Sequence, residues 1–208
     1  MPASPRWSGP QRRIGLTGGI ASGKSSAGRL LAKRGLPVLD ADLFAREALA
    51  AGTAGARAVL ARYGPVVQGP GTNSIDRSAL GRIVFHDSGE RHWLEQLVHP
   101  LVRARFDAEL KRLAAEPTVV LMIPLLFEAG LESLCSEIWL VDCDPEQQLQ
   151  RLIARDRLSA ADAEARIAAQ WPLARKRPLA DDLLNNRGTA ETLAAQVQRL
   201  ALSPSASD

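Results

Sequence analysis

Cysteine and histidine are scarce in this chain of 208 residues. Its two cysteines, Cys135 and Cys143, exclude a disulfide scaffold. Their spacing is not a metal pattern, and they read as reduced, partly buried core residues. The three histidines, His86, His92 and His99, fall in one fourteen-residue stretch with no cysteine beside it, which argues against a zinc centre. No apolar run reaches the roughly eighteen residues of a membrane-spanning helix. The longest, 119–126, is interrupted by Pro124, so no membrane partner is expected. The opening MPASPRWSGPQ lacks the apolar core of an export signal, and the expected location is cytoplasmic. A net charge of +3 is too small an excess to argue for a nucleic-acid partner.

With hydrophobic residues at 46% and charged residues at 24%, the composition is that of a folded globular protein rather than a disordered or collagen-like one. The length suits one substantial domain with one or two inserted lobes. The charge is unevenly placed. Residues 146–178 hold seven basic side chains (Arg151, Arg155, Arg157, Arg166, Arg175, Lys176, Arg177) against four acidic ones, and the rest of the chain carries nineteen of each sign. A local positive patch of that size suits a small anionic ligand better than a long polyanion.

Hydrophobic periodicity predicts strands at 13–17, 36–39, 119–123, 138–141 and 181–185. It predicts helices at 24–34, 43–50, 54–63, 77–85, 88–113, 145–157, 160–169 and 190–200. Pro100 is expected to kink or restart the long helix. Strands and helices alternate at both ends around a helical block. The expected class is therefore α/β: a parallel sheet of about five strands flanked by helices, with an inserted helical lobe. Residues 1–11 and 203–208, rich in Pro, Ser, Gly and Ala, read as disordered ends. The core is expected in three parts, 12–42, 116–145 and 180–202, with the lobe over 43–115. The Gly/Pro-rich loop 64–74 receives no role.

Gly18-Gly19-Ile20-Ala21-Ser22-Gly23-Lys24-Ser25 fits G-x-x-x-x-G-K-[ST] at every fixed position. Glycines let the backbone curl so that several N–H groups face phosphate oxygens, and the following helix aims its positive end at the same place. In such loops the lysine, here Lys24, reaches the β- and γ-phosphates, and the hydroxyl, here Ser25, ligates Mg²⁺. The flanking strand and helix are the context the motif requires. Only four of the 26 basic residues are lysine, and one stands where the loop demands it. The motif means nucleoside triphosphate binding and does not by itself separate kinase, GTPase and motor.

No N-K-x-D segment is present for reading guanine. Gln147, Arg151 and Arg155 recur every four residues on one helix face, as a charge-stabilising lid or as an ordinary solvated face. Asp40 and Asp42 follow the second strand. They would share one side if the strand continues, and Asp42 alternatively suits a helix N-cap. The strand at 119–123 carries no acidic residue at its end; Pro124-Leu125-Leu126-Phe127-Glu128 follows it.

Taken together, these segments resemble the dephospho-coenzyme A kinase family over most of 14–200. The residues that carry the resemblance are the stretch from Gly15 to Ser25, Asp40-Ala41-Asp42, Arg77, Leu94-Glu95, His99-Pro100, Pro124-Leu125-Leu126-Phe127-Glu128, Gln148-Leu149 with Arg151 and Arg155, Arg166-Ile167 with Gln170, and Ala180-Asp181 through Asn186 and Gly188. The resemblance implies transfer of the ATP γ-phosphoryl group to the 3′-hydroxyl of the dephospho-coenzyme A ribose. The core binds the nucleotide, the lobe 43–115 takes the substrate, and residues 146–179 form a helical lid. Asp42 is implied as general base. Thr17, the loop Gly18 to Gly23, Lys24 and Ser25 serve the phosphates, with Ser25 on Mg²⁺. Arg151 and Arg155 contact phosphates from the lid, and Asn186 borders the adenine. Arg77, His99, Leu126 and Glu128 are implied on the acceptor side. Ala21 stands where many relatives have glycine. Two other readings stay open: a P-loop kinase acting on another small alcohol, and a nucleotide-gated binding protein without transfer. Nothing in the sequence sets an oligomeric state, and a monomer is compatible with it.

Overall fold

The computed structural model describes residues 5–203. In chain order its elements are β1 (Arg12–Gly18), α1 (Lys24–Ala32), β2 (Val38–Asp40), α2 (Ala41–Ala48), α3 (Ala54–Tyr63), α4 (Arg77–His86), α5 (Ser88–Arg112), β3 (Thr118–Met122), β4 (Glu137–Asp142), α6 (Pro145–Asp156), α7 (Ala160–Ala168), α8 (Leu173–Lys176), β5 (Asp182–Asn185) and α9 (Ala190–Leu202). Short 3-10 turns at Gly64–Val67, Glu132–Leu134 and Arg177–Leu179 join them. The chain divides into two units, Ala41–Arg112 and the residues on either side of it.

The flanking unit is the α/β core that the alternation of elements predicts. Its five strands run in the order β2-β3-β1-β4-β5, and all neighbouring pairs are parallel. Both faces of such a sheet are covered, so its strands carry apolar runs without alternation. β4 is buried at all six positions. Ile14, Leu16, Val120, Met122, Trp139, Val141 and Leu184 pack with Ala27 and Leu31 of α1 and with Leu193, Val197 and Leu200 of α9. Each fully buried aliphatic side chain in that layer contributes about 1.5–3 kcal/mol. β1 is central. The chain leaving it turns to one side for β2, whereas β4 lies on the other. That change of direction at the carboxyl end of a strand is where open α/β sheets bind ligands.

The start of the chain corrects one expectation. Residues 1–4 and 204–208 lie outside the described residues, but 5–11 are not loose. The Trp7 amide donates to Cys135 O at 3.0 Å and its indole Nε1 to Gln11 O at 2.8 Å. The Arg13 guanidinium stacks on the Trp7 ring at 3.4 Å. Buried Gln11 donates to Leu113 O and Glu116 O. A Pro/Ser/Gly count misses this, because one tryptophan and one glutamine supply the anchorage. Both cysteines are free and buried, and burial pushes the Cys135 thiol up to about 12.

The unit Ala41–Arg112 is helical. Phe44 of α2 meets Phe106 of α5 edge to face with ring centroids 5.0 Å apart. Val59, Val67, Ala79, Leu80 and Val84 form a second cluster covered by Trp93, Leu94 and Leu97. Thr53 and Asp76 cap α3 and α4 by accepting from backbone amides at the helix starts, as their residue types predict. Glu90 accepts from Arg62 and Tyr63; these bonds hold its carboxyl down at about 2. Burial together with Glu90 pushes the Tyr63 phenol up to about 12. α5 runs through Pro100 as one helix of 25 residues, so the chain does not restart there. A proline inside a helix forfeits one backbone bond. Here Val98, Val102, Phe106 and Leu110, buried along the same helix, hold it across the gap.

Candidate active site

The loop between β1 and α1 sits at the carboxyl end of the central strand. Lys24 is the first residue of α1 and is only 8% exposed; Ser25 follows it at the surface. Gly23 is left-handed with φ 103, and so is Ala21 with φ 57. Left-handed residues set between ordinary ones turn peptide N–H groups toward one concave side, a nest for anions. Among the described residues, the amides of Ala21, Gly23 and Ser25 have no protein acceptor. Buried or half-buried N–H groups seldom stay unpaired, so the open donors of half-buried Ala21 and Gly23, beside that of exposed Ser25 at the helix N-terminus, fit a phosphate chain.

Three amide side chains hold the loop from outside. Gln148 of α6 donates to Ile20 O at 2.8 Å. Gln170, just past α7, accepts from the Ile20 amide at 2.9 Å. Asn186, after β5, donates to Ser22 O at 2.7 Å. Two glycines make room for them. A Cβ on Gly19 would collide with Gln148 Nε2, and one on Gly23 would collide with Asn186 Nδ2. Gly18 and Ser22 are buried between strand and loop. The Thr17 hydroxyl donates to Pro124 O at 3.2 Å, fastening the end of β1 to the chain leaving β3.

Arg151 is half-buried and donates through Nη2 to Asn186 O at 3.0 Å, while its Nη1 is buried with no partner among the described residues. A cavity of about 360 Å³ opens beside it, lined by Asp144, Glu146, Gln147, Gln150 and Arg151. Gln147 turns to Arg187 O at 3.1 Å. Two members of the predicted stripe therefore face the segment after β5 rather than open solvent. The third does not: Arg155 is exposed and bonded to Asp156 at the end of α6, and the structure does not bring it to the loop.

Glu128 accepts from the Trp171 amide at 2.9 Å and pairs with Lys176 Nζ at 2.7 Å. Lys176 is fully buried and also donates to Pro124 O. The pair ties the segment after α7 to the segment after β3. Removing one partner of a buried pair strands the other charge. Glu128→Ala is expected to cost about 2–3 kcal/mol of stability, below the usual cost because the Glu128 side chain keeps 15% exposure. Urea unfolding of the variant checks this; a loss under about 1 kcal/mol would place the pair among surface bridges.

Leu126 has no exposed surface, and a Cβ on Gly15 would meet it at 2.9 Å. It is a core position, which corrects its assignment to the acceptor side. β2 ends at Asp40, in register with Met122 of β3. Asp42 is neither a strand residue nor an N-cap: it is exposed in the first turn of α2. α2 starts at Ala41 because the chain turns directly out of β2. Arg77 opens α4 and donates to Arg46 O at 3.4 Å; His99 is half-buried on α5.

The roles of Gln148, Gln170 and Lys176 were not legible from residue type. Gln148 had one signal: it lies four residues before Leu152 on the buried face of α6, and a polar side chain on an apolar face has a specific partner. Lys176, inside Arg175-Lys176-Arg177, looks like a solvated charge run and carries no such mark.

The parallel sheet with a glycine-lysine phosphate loop after its central strand defines a P-loop nucleotide-binding protein of the α/β class. Residues 12–192 match the family model described as dephospho-CoA kinase, and the chain belongs to that family. The dephospho-CoA kinase of Synechococcus sp. (strain CC9605) is 66% identical over 197 residues, spanning 94% of this chain and 95% of the relative. A crystal structure of TT1252 from Thermus thermophilus superposes with a TM-score of 0.77 at 38% identity, covering 93% of this chain and 99% of that one. Dephospho-CoA kinase from Campylobacter jejuni does so with a TM-score of 0.61 at 25% identity, covering 93% and 97%.

Proposed function

We propose that this chain transfers the γ-phosphoryl group of ATP to the 3′-hydroxyl of the ribose of dephospho-coenzyme A, the closing step of coenzyme A synthesis. The observation that carries this reading is the family match over residues 12–192 with the phosphate loop intact at its head. The open amides of Ala21, Gly23 and Ser25 receive phosphate oxygens. Lys24 neutralises charge on the β- and γ-phosphates. The unpartnered Arg151 Nη1 takes charge that spreads as the bond to the leaving oxygen lengthens. The cavity beside Arg151 and the segment around Asn186 accept the base and ribose of ATP. The Ser25 hydroxyl is the loop oxygen that would hold Mg²⁺, which would supply charge neutralisation across the phosphates.

On the acceptor side, the Asp42 carboxylate takes the proton of the 3′-hydroxyl as that oxygen bonds to the γ-phosphorus. The bond from phosphorus to the β,γ-bridging oxygen breaks, and ADP leaves. Arg77 and His99 belong to the lobe assigned to the acceptor. Glu128 acts through its pair with Lys176 rather than on substrate.

Coupled transfer from Mg-ATP to dephospho-coenzyme A, with adenosine, AMP and shikimate as parallel acceptors, tests the reading. Turnover is expected with dephospho-coenzyme A and at least about a hundredfold lower kcat/KM with the others, since an acceptor without the remote groups loses their binding energy in the transition state. Comparable turnover of AMP or shikimate would move the chain to another acceptor.

A further inference from the structure

We propose that Gln148 and Gln170 are positioning residues that set the phosphate loop in its binding conformation by holding the two peptide groups flanking Ile20; this rests on the nucleotide-binding reading above. The Ile20 amide donates to Gln170 Oε1 at 2.9 Å, and the Ile20 carbonyl accepts from Gln148 Nε2 at 2.8 Å. One glutamine acts as acceptor and the other as donor, so both peptide planes on either side of one α-carbon are fixed. Neither side chain belongs to the loop: Gln148 lies on α6 and Gln170 follows α7. Gln148 is buried, at 6% exposure. Its reach depends on Gly19, where an added Cβ would collide with the Gln148 amide nitrogen.

The need for such a clamp lies one residue further on. Ala21 is left-handed, with φ 57, a conformation that alanine disfavours and glycine does not. A loop with glycine at that position reaches the bend unaided. In this chain the bend follows from the orientation imposed at Ile20. Once Ile20 is fixed, the amides of Ala21 and Gly23, which lack a protein acceptor among the described residues, stay open to phosphate. Bonds to the outer edge of the loop leave those inner donors untouched, so the glutamines do not compete with the ligand. Gln170 has a second consequence. It adjoins Trp171, whose amide donates to Glu128, so the same segment fastens both to the loop and to the chain after β3. Phosphate binding and order in the α7–α8 segment are therefore coupled through one side chain.

The test uses the full chain with Gln148→Met, Gln170→Met and the double variant; methionine keeps the side-chain length and loses the amide. Calorimetric titration with Mg-ATP should show each single variant binding about tenfold more weakly, with the KM for dephospho-coenzyme A unchanged. The double variant should lose less than the product of the two, because both bonds act on one segment. Amide hydrogen exchange supplies a readout independent of activity. In nucleotide-free Gln170→Met the Ile20 amide should exchange far faster than in the wild type, while amides of β1 and β4 keep their protection and report an intact fold. Single variants that bind Mg-ATP within about twofold of wild type, or equal Ile20 exchange in wild type and Gln170→Met, would overturn the proposal. So would a loss of affinity that only follows lost protection across the sheet. Wild-type protein that fails to take up Mg-ATP would overturn the nucleotide reading and this inference together.

Discussion

Lys24→Met is expected to lower kcat/KM for phosphoryl transfer by about a thousandfold with little change in thermal stability. Lys24 is the first residue of α1, just past left-handed Gly23, and is 8% exposed. An ammonium in so dry a place acts through a lower effective dielectric than a surface lysine, and its position is set by the helix start rather than by its own flexible stem. Methionine keeps the length and the apolar stem of this buried side chain and removes the ammonium. Phosphoryl transfer depends almost entirely on positioning and on stabilising charge over the phosphoryl oxygens, so the loss should fall on kcat more than on the KM for ATP. Steady-state kinetics with Mg-ATP and dephospho-coenzyme A would show it, beside a melting curve for each protein. A variant within about tenfold of wild type would mean that Arg151 and the loop amides carry the charge without Lys24.

How far this site was legible in the sequence follows from what each part encodes. The loop is written in backbone terms: glycines that permit left-handed residues, then a lysine at the helix start. Those features are local, so residue order reveals them before any fold is known. The sheet was legible for a related reason, since strands buried on both faces show unbroken apolar runs such as Val119 to Met122. The clamp around the loop was not. Gln148, Gln170 and Asn186 reach Ile20 and Ser22 across 128, 150 and 164 positions of chain, and nothing local marks an amide side chain for a distant carbonyl. The same holds for Lys176, a buried cation within a run of arginines, and for Trp7 and Gln11, which pin a segment that composition alone makes look loose. Pro100 shows the converse. A local rule predicted a kink or a restart there, and the helix does not restart, with buried residues along α5 on both sides of Pro100. For Leu126 the resemblance supplied a role by motif, whereas the structure gives it a packing position that the motif does not distinguish from ligand contact.

Asp42→Asn is the second large effect and separates proton transfer from phosphate binding. The change is isosteric and removes only the carboxylate. Asp42 lies exposed in the first turn of α2, two residues beyond the end of β2. Its carboxylate is the group proposed to accept the 3′-hydroxyl proton. In a loose transition state the base contributes less than charge stabilisation does. The expected fall in kcat is therefore about a hundred- to a thousandfold, with Mg-ATP binding unchanged by calorimetry. A purely electrostatic role at the helix start predicts something else: removing a carboxylate there costs about 0.3–1 kcal/mol of stability and leaves kcat alone. Measuring kcat, Mg-ATP affinity and unfolding midpoint on one variant thus distinguishes the two roles. Turnover by Asp42→Asn within about threefold of wild type, with a lowered midpoint, would reduce Asp42 to a helix charge and send the search for the proton acceptor elsewhere in the acceptor lobe. A fall of the expected size at constant midpoint would tie the exposed carboxylate at the head of α2 to the transfer of the proton.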